Sequence, residues 1–99
     1  MIVITRYTVP LGEADDFVAR ASAALTALGS RPGFKDSWIG RAADEPTLWT
    51  IVTEWEGPGY YRRALSDYDV RMAAVPLLSL AHDEPTAFEV VSGHTSGPR

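Results

Sequence analysis

The first nine residues alternate between two sides in the way that a β strand requires. β-branched and aromatic residues dominate this run, and period-two alternation of that kind is typical of a strand. One side carries Val3, Thr5, Tyr7 and Val9. The other side begins with Ile2 and Ile4 and continues with polar residues. Pro10 and Gly12 then interrupt the pattern, so the sequence predicts a first strand that ends at Val9.

A helical period follows this break. Glu13, Asp15 and Asp16 lie where the N-terminus of a helix favours negative charge. Apolar residues then recur at i, i+4, i+7, i+8 and i+11, as expected for one stripe of an amphipathic helix. These residues are Phe17, Ala21, Ala24, Leu25 and Leu28. Gly29 marks the C-terminal end of the predicted helix.

Two further strands and a second helical region are predicted next. Residues 34–41 are bulky, and residues 47–56, TLWTIVTEWE, give the strongest strand pattern in the chain, so we expect the two to pair as a hairpin. A helix is predicted from Gly59. The helical run after it contains Pro76, which either interrupts the run or begins a fresh short helix. A last strand is predicted over residues 86–91.

The order of these elements, β-α-β-β-α-β, predicts an α+β fold of the ferredoxin-like type with an antiparallel sheet. One domain over residues 1–91 is expected, followed by a flexible C-terminal tail over residues 92–99. The helices can cover only one face of such a sheet. Because the first and third strands carry apolar residues on both sides, we expect the open face to pack on a second copy, giving a homodimer.

Composition narrows the classes of partner. The 99-residue chain has a formal net charge of -4, and its 9 basic residues are scattered, which argues against nucleic acid as a partner. It has no cysteine, which excludes thiolate nucleophiles and cysteine-based metal sites. The N-terminus does not resemble a signal peptide, and no segment approaches the about 18 apolar residues that span a bilayer. A cytoplasmic protein without a membrane partner or a metal site is therefore expected.

Several segments together resemble a known family. PLGEADDFVARA opens the first helix, RPGF leads into the second strand, and TIVTEWEGPGYYRRALSD joins the third strand to a short aromatic helix. The order and spacing of these segments over residues 1–91 resemble the antibiotic biosynthesis monooxygenase family. The resemblance implies a dimeric α+β barrel with a pocket between the sheet and the helices of each subunit. Members include cofactor-free oxygenases of polycyclic aromatic or quinol substrates, haem-degrading enzymes, and small-molecule binding or isomerising relatives.

The chain departs from the haem-degrading members of that family. Their pattern, placed on the shared Trp-Glu corner, puts Thr5, Ala64 and Ala74 where those members carry an Asn, a Trp and a His. Alanine can neither ligate iron nor stack on a porphyrin, so we do not expect haem degradation. Asp69 stands where quinol-oxidising members often carry a His, and the chain contains no Asn or Gln. Any oxidation is expected to rely on Tyr, Trp, Arg, Asp, Glu or His.

Candidate site residues follow from the chemistry of their side chains. His82, in the segment SLAHDEP, is a candidate general base, and Tyr7 and Trp55 are candidate catalytic hydrogen-bond donors. The residues expected to bind a substrate are Trp49, Tyr60, Tyr68 and Arg62. For each of these residues, packing in the core or solvation at the surface is the competing interpretation.

The function favoured by these observations is a monooxygenase that needs no cofactor and acts on a hydrophobic aromatic, polyketide-like or quinol-like molecule. In such a mechanism the protein supplies a dry cavity, a base and donors for an oxyanion. Two alternatives on the same scaffold stay open. One is a non-catalytic module that binds a small molecule, and the other is an isomerase or cyclase with His82 or a carboxylate as its base.

Overall fold

The computed structural model of the protein describes residues 1–97. The predicted order of elements is confirmed, with the second helical region divided into three short helices. In chain order the elements are β1 (Ile2–Thr8), a 3-10 turn (Leu11–Glu13), α1 (Ala14–Gly29), β2 (Phe34–Arg41), β3 (Leu48–Trp55), α2 (Pro58–Leu65), α3 (Tyr68–Ala73), α4 (Val75–Leu78) and β4 (Ala87–Phe88).

The four strands form one antiparallel sheet in the order β2-β3-β1-β4. β1 and β3 lie at the centre and pair over their whole lengths, with Ile2 opposite Glu54 and Thr8 opposite Leu48. β2 pairs with β3 as the predicted hairpin. The ferredoxin-like α+β fold predicted from the sequence is therefore confirmed.

The helices cover the face of the sheet to which the odd-numbered residues of β1 and β3 point. The buried residues of this face are Val3, Thr5, Tyr7, Trp49, Ile51, Thr53 and Trp55. α1 packs on them with its predicted stripe, of which Phe17, Ala21, Ala24 and Leu28 are buried. Complete burial of one large apolar side chain contributes about 1.5–3 kcal/mol, so this layer is the main source of stability.

The even-numbered residues of the same two strands point away from the helices. Ile4, Val52 and Trp38 lie side by side across three strands on this open face. Trp38 exposes 53 % of its surface, and Phe88, opposite Ile2 on the same face, exposes 42 %. The sheet therefore has the second apolar face that the alternation of the sequence predicts.

β4 is shorter than the strand predicted over residues 86–91. Its pairing covers only Ala87–Phe88, because Phe88 lies opposite Ile2, and Ile2 is the first residue of β1. The segment before β4 nevertheless follows β1. The backbone N–H of His82 donates to the carbonyl of Arg6 at 2.8 Å. The backbone N–H of Ile4 donates in turn to the carbonyl of Thr86 at 2.7 Å.

Pro76 begins a fresh short helix, which is one of the two outcomes predicted for it. α3 ends at Ala73 and α4 begins at Val75, so Pro76 lies in a first turn, where its missing N–H costs no helical hydrogen bond. The break turns the chain so that Leu77 enters the core with 2 % of its surface exposed.

Residues 92–97 are exposed and lie outside the helices and strands. The flexible tail over residues 92–99 stays a prediction, and its last two positions, 98–99, lie outside the described residues. No helix within residues 1–97 is long and apolar enough to cross a membrane.

Candidate active site

Trp55 lies at the centre of a closely packed group of rings at the end of β3. Only 1 % of its surface is exposed, and its indole N–H donates to Thr53 Oγ1 at 2.9 Å. Its ring meets Phe34 edge to face at 5.4 Å between centroids, and Tyr61 lies at the same distance on a tilted plane. Trp55 thus packs in the core with its one donor already used.

Tyr60 packs against a glycine at this same end of the sheet. Gly33 has a φ of 85°, and a Cβ atom placed on it would lie 2.3 Å from Cγ of the Tyr60 ring. The guanidinium of Arg63 lies 4.8 Å from the centroid of that ring, a cation–π contact. Gly33, Phe34, Trp55, Tyr60 and Tyr61 form what we call the aromatic corner.

The remaining binding candidates from the second helical region lie at the surface. Tyr68 exposes 73 % of its surface, and Arg62 is exposed in the last turn of α2. Neither residue lines the cavity described below. The structure therefore does not bring Tyr68 and Arg62 together with Tyr7 and Trp55.

His82 lies on the open-face side of β1. Its Nε2 atom is 2.9 Å from Oγ1 of Thr8, whose side chain points to the face opposite Tyr7. Beside it, Arg6 donates to both carboxylate oxygens of Glu84 at 2.7 and 2.6 Å, and these hydrogen bonds lower the pKa of Glu84. The three residues proposed as catalytic from the sequence therefore do not converge: His82 bonds Thr8, the neighbour of Tyr7 along β1, whereas Trp55 lies at the far end of β3.

Two phenols lie inside the molecule on the covered face. Tyr7 donates its hydroxyl hydrogen to Thr5 Oγ1 at 2.9 Å, and Thr5 donates in turn to the carbonyl of Ile51 at 3.3 Å. Burial raises the pKa of Tyr7, and burial together with the neighbouring Tyr7 raises the pKa of Tyr61. Both phenols are consequently protonated at neutral pH, and neither can serve as a base there.

A small cavity opens beside Tyr7, where β1 ends and α1 begins. We call it the β1 cavity; it encloses about 100 Å³. Its apolar wall consists of Val9, Pro10, Phe17, Leu77 and Leu80. The ring of Phe17 lies 5.2 Å from that of Tyr7, so aromatic surface forms the inner end of the cavity. Larger hollows elsewhere, including one of about 450 Å³ beside Met1 and Gly57, do not reach these rings.

Three charged side chains line the same cavity: Glu13, Asp16 and Arg20. All three are exposed, so they form its rim rather than its inner end. The sequence analysis missed them as site residues, because Glu13 and Asp16 were interpreted only as favourable charges at a helix N-terminus. The three residues are spaced three and four positions apart, which places them on the helix face that includes Phe17. This spacing is the feature of the sequence from which they could have been identified.

Trp49 has a buried polar atom without a partner. It exposes 8 % of its surface, its ring lies 5.3 Å from Phe17, and the guanidinium of Arg41 lies 4.9 Å from its centroid. Within residues 1–97 its Nε1 has no hydrogen-bond acceptor. A buried donor of this kind is normally satisfied by water or a ligand. Trp49 contacts the cavity residue Phe17 but does not line the β1 cavity; it lines a separate hollow with Arg41 and Thr50.

The three positions at which the resemblance would place the functional groups of haem-degrading proteins, Thr5, Ala64 and Ala74, are buried in this structure. Ala64 exposes 1 % of its surface and Ala74 exposes none, so both are packed in the core. Thr5 is also buried, and its hydroxyl serves Tyr7. Among residues 1–97, no group of three or more His, Asp or Glu side chains is arranged to hold a metal ion.

The fold and the β1 cavity define a small α+β protein of ferredoxin-like topology with a pocket between its sheet and its helices. A sequence model of the family described as antibiotic biosynthesis monooxygenase matches residues 1–65, and the chain therefore belongs to this family. The resemblance drawn from the sequence segments is confirmed. Among curated proteins no sequence match is found.

Solved structures share this fold at low sequence identity. A candidate antibiotic biosynthesis monooxygenase from Deinococcus radiodurans has a TM-score of 0.76 at 17 % identity, with 98 % of each chain covered. Another candidate, from Chloroflexus aurantiacus, has a TM-score of 0.71 at 22 % identity, with 97 % of each chain covered. A mutant of SnoaB, a cofactor-independent oxygenase from Streptomyces nogalater, has a TM-score of 0.70 at 22 % identity, with 82 % of each chain covered.

Proposed function

We propose that this protein is a cofactor-independent monooxygenase that acts on a hydrophobic aromatic, polyketide-like or quinol-like small molecule at the β1 cavity. Membership of the antibiotic biosynthesis monooxygenase family supports the reaction class. The fold shared with SnoaB, which is a cofactor-independent oxygenase, supports the absence of a cofactor requirement.

The β1 cavity is the observation on which the proposal rests. It combines the aromatic and apolar walls that a flat hydrophobic molecule needs with charged groups that can accept and donate protons. Tyr7 contributes an acceptor, because its hydroxyl hydrogen is committed to Thr5 while its oxygen retains a lone pair. A substrate hydroxyl could therefore donate to Tyr7.

The proposed reaction consumes the substrate and molecular oxygen only. A base removes a proton from an activated methylene, R–CH₂–R′, and the electron pair left behind reacts with oxygen to form a C–O bond. The resulting peroxide loses water and leaves a ketone, so that R–CH₂–R′ + O₂ gives R–CO–R′ + H₂O. The protein contributes a water-poor site, a base and a partner for the developing oxyanion.

The volume of the cavity limits how a substrate binds. A cavity of about 150 Å³ accommodates benzene, whereas the β1 cavity encloses about 100 Å³. Only the reacting edge of a polycyclic molecule therefore enters, and the rest lies over the rim. Leu80, which lines the mouth and exposes 60 % of its surface, offers apolar area for that contact.

The test is oxygen uptake with anthrones and quinols, together with ligand-induced thermal shifts. The wild-type protein is expected to consume one O₂ per substrate, and Leu80→Trp, which covers the mouth with a larger ring, is expected to lose turnover. Met72→Trp is the matched control, because Met72 is 63 % exposed and does not line the cavity. Absence of both uptake and thermal shift across the panel would contradict the proposal.

A non-catalytic binding module is the second candidate, and the position of His82 favours it. His82 does not itself line the β1 cavity; its imidazole lies 2.9 Å from the hydroxyl of Thr8, which does. A thermal shift with aromatic ligands and no oxygen uptake would select this alternative. Conversion of a ligand to an isomer or a cyclised product, again without oxygen uptake, would select an isomerase or cyclase.

We also propose that two copies pack sheet to sheet as a homodimer. The open face supports this, because Trp38 and Phe88 are exposed there beside the partly buried Ile4 and Val52. Contiguous apolar surface of that kind usually marks an interaction site. Sedimentation is expected to give a dimer mass at micromolar concentration, and Trp38→Asp is expected to shift it toward the monomer. A monomeric wild type would contradict the proposal.

A further inference from the structure

A hollow of about 300 Å³ opens on the open face of the sheet, next to Trp38. Arg6, Leu48 and Thr50 line it from β1 and β3, and Gly40 lies opposite Thr50 on β2. Because Gly40 has no side chain, the strand leaves a gap at this position. A Cβ atom placed on Gly40 would lie 3.2 Å from the Cγ2 methyl carbon of Thr50. We call this space the Gly40 hollow.

Trp38 protrudes directly beside this hollow. Trp38 and Gly40 are two residues apart on β2, so they lie on the same face of the sheet, about 6.6 Å from each other. Trp38 exposes 53 % of its surface and does not line the hollow of its own chain. A cavity of about 150 Å³ accommodates one benzene ring. The Gly40 hollow, with about 300 Å³, thus has room for the two fused rings of an indole.

Twofold symmetry converts these two neighbouring features into two identical contacts. Aligned sheets that pack face to face keep their strand directions within about 30° of each other. In a symmetric dimer, residue i of one copy contacts residue j of the other while j contacts i. An axis that crosses the strands between positions 38 and 40 places Trp38 of each copy over Gly40 of the other. A single axis therefore fills both hollows and covers both exposed indoles.

The charged side chains of the hollow do not oppose the entry of an indole. Arg6 donates two hydrogen bonds to Glu84, which does not line the hollow. The guanidinium of Arg41 lies 4.9 Å from the ring centroid of Trp49. Both cations thus already have partners within one copy. An indole that enters here leaves no buried charge without a partner, which is the costly outcome in an apolar environment.

A second hollow of about 300 Å³ on the open face is the competing position for Trp38. Arg6 and Glu84, whose side chains are 2.6 Å apart, form part of its wall. An indole placed on this ion pair would remove both charges from water, and that desolvation offsets the gain from burying the ring. Within residues 1–97 no carboxylate lines the Gly40 hollow, so it is the better site.

We propose that Trp38 of each copy enters the Gly40 hollow of the other copy. The inference rests on the homodimer proposed above and specifies how its two sheets are aligned, and it does not depend on the monooxygenase reaction. Each of the two contacts is then built from both copies, the indole from one and the hollow from the other. Glycine is required at position 40, because a larger side chain would occupy the space that the indole needs. Tryptophans that fill a pocket of a partner are among the residues that dominate interface energies.

Two variants damage opposite halves of this contact. Trp38→Ala removes the indole, and Gly40→Phe fills the hollow. Each is expected to raise the dimer Kd in sedimentation equilibrium by about 1,000-fold, because each change acts twice per dimer and each lost contact contributes about 30-fold. Tyr68→Ala is the control, because Tyr68 is 73 % exposed on the helical side of the molecule. It should keep the wild-type Kd.

The fold of Gly40→Phe is verified by circular dichroism. Among residues 1–97, Gly33 is the glycine with a positive φ, so a side chain at Gly40 meets no backbone strain of that kind. The added Cβ requires only a small shift of the Thr50 methyl group. A folded Gly40→Phe monomer is therefore expected.

Mixing the two variants is the decisive experiment. In the heterodimer, Trp38 of the Gly40→Phe chain enters the empty hollow of the Trp38→Ala chain. The ring added at position 40 takes the space left by the missing indole. Native mass spectrometry and sedimentation are expected to show a heterodimer at least about tenfold tighter than either variant homodimer, since each homodimer repeats one defect twice.

The outcomes separate this inference from the proposed homodimer. A dimer that persists unchanged in both single variants would overturn the alignment of the sheets and leave the homodimer standing. A heterodimer no tighter than the two homodimers would also overturn it, because positions 38 and 40 would then not meet. A monomeric wild type would contradict the homodimer and this inference together, and would leave the open face to a different partner.

Discussion

The aromatic corner and the β1 cavity lie at opposite ends of the same covered sheet face, and they differ in how their polar groups are used. At the corner, Trp55 is 1 % exposed and its indole N–H is already bonded to Thr53. At the cavity, Tyr7 is equally buried, but it adjoins open space and three charged side chains. One end is filled and satisfied, whereas the other retains room and reactive groups.

The difference shows that a high density of aromatic residues is not by itself a sign of a reactive site. Segment 53–65, TEWEGPGYYRRAL, is the most conspicuous stretch of the sequence, yet its rings pack on one another and on Gly33. The cavity instead forms where a strand end, a helix start and the short helix after Pro76 come together. Substitutions at the corner should consequently change stability, and substitutions at the cavity should change binding and rate.

The largest effect is expected from Trp55→Ala. Removing this fully buried indole leaves a cavity in the core, and such truncations cost about 3–5 kcal/mol in the free energy of unfolding. Urea denaturation followed by circular dichroism measures the change. Tyr68→Ala is the control, since Tyr68 is 73 % exposed and its loss should stay within about 0.5 kcal/mol. Equal effects of the two variants would refute the distinction between packed and exposed aromatic residues.

Gly33→Ala is expected to cost slightly less, about 2–4 kcal/mol. A side chain at Gly33 is strained because φ is 85°, and its Cβ would overlap the ring of Tyr60. Gly93→Ala provides the control, because Gly93 has no positive φ and no atom within 4 Å of the added Cβ. If the midpoint of urea denaturation is the same for Gly33→Ala and the wild type, the contact between Gly33 and Tyr60 does not stabilise the corner.

The sequence predicted the covered face of the sheet better than the cavity, for a physical reason. The two faces of β1 follow from the period-two geometry of any strand, so the buried row from Val3 to Val9 could be predicted locally. The extent of β4 could not, because it depends on where β1 begins. The position of Asp16 at the edge of a cavity depends on Leu77, which approaches from a helix about 60 residues later in the chain. A local pattern contains no information about that approach.

Tyr7→Phe is expected to have a moderate effect on stability. It deletes the hydrogen bond to Thr5 but keeps the ring that packs on Phe17, so the free energy of unfolding should fall by about 0.5–1.5 kcal/mol at pH 7. Thermal and urea denaturation measure this change. A loss as large as that of Trp55→Ala would mean that the hydrogen bond from Tyr7 to Thr5 contributes far more than a buried hydrogen bond usually does.

The same variant is expected to alter the stability at high pH. The pKa of Tyr7 and that of Tyr61 are raised by burial, so the folded state keeps these protons where the unfolded chain, with its phenol pKa near 10, has lost them. Stability is thus unaffected by these groups below pH 10 and falls as pH rises above it. Tyr7→Phe should reduce the slope of that fall. An unchanged slope would show that Tyr7 ionises normally in the folded protein.

Leu80→Ala is expected to have the smallest effect on folding and a measurable effect on ligands. Leu80 is 60 % exposed, so its truncation should change the free energy of unfolding by no more than about 0.5 kcal/mol. Because it lines the mouth of the β1 cavity, the same change should weaken the binding of an apolar aromatic ligand about three- to tenfold. Anaerobic titration by tryptophan fluorescence measures the Kd, with Met72→Ala, another exposed truncation on the helical side, as the control. Equal affinities in the two variants would place the ligand away from the β1 cavity, and the contrast between a packed end and a binding end would then be wrong.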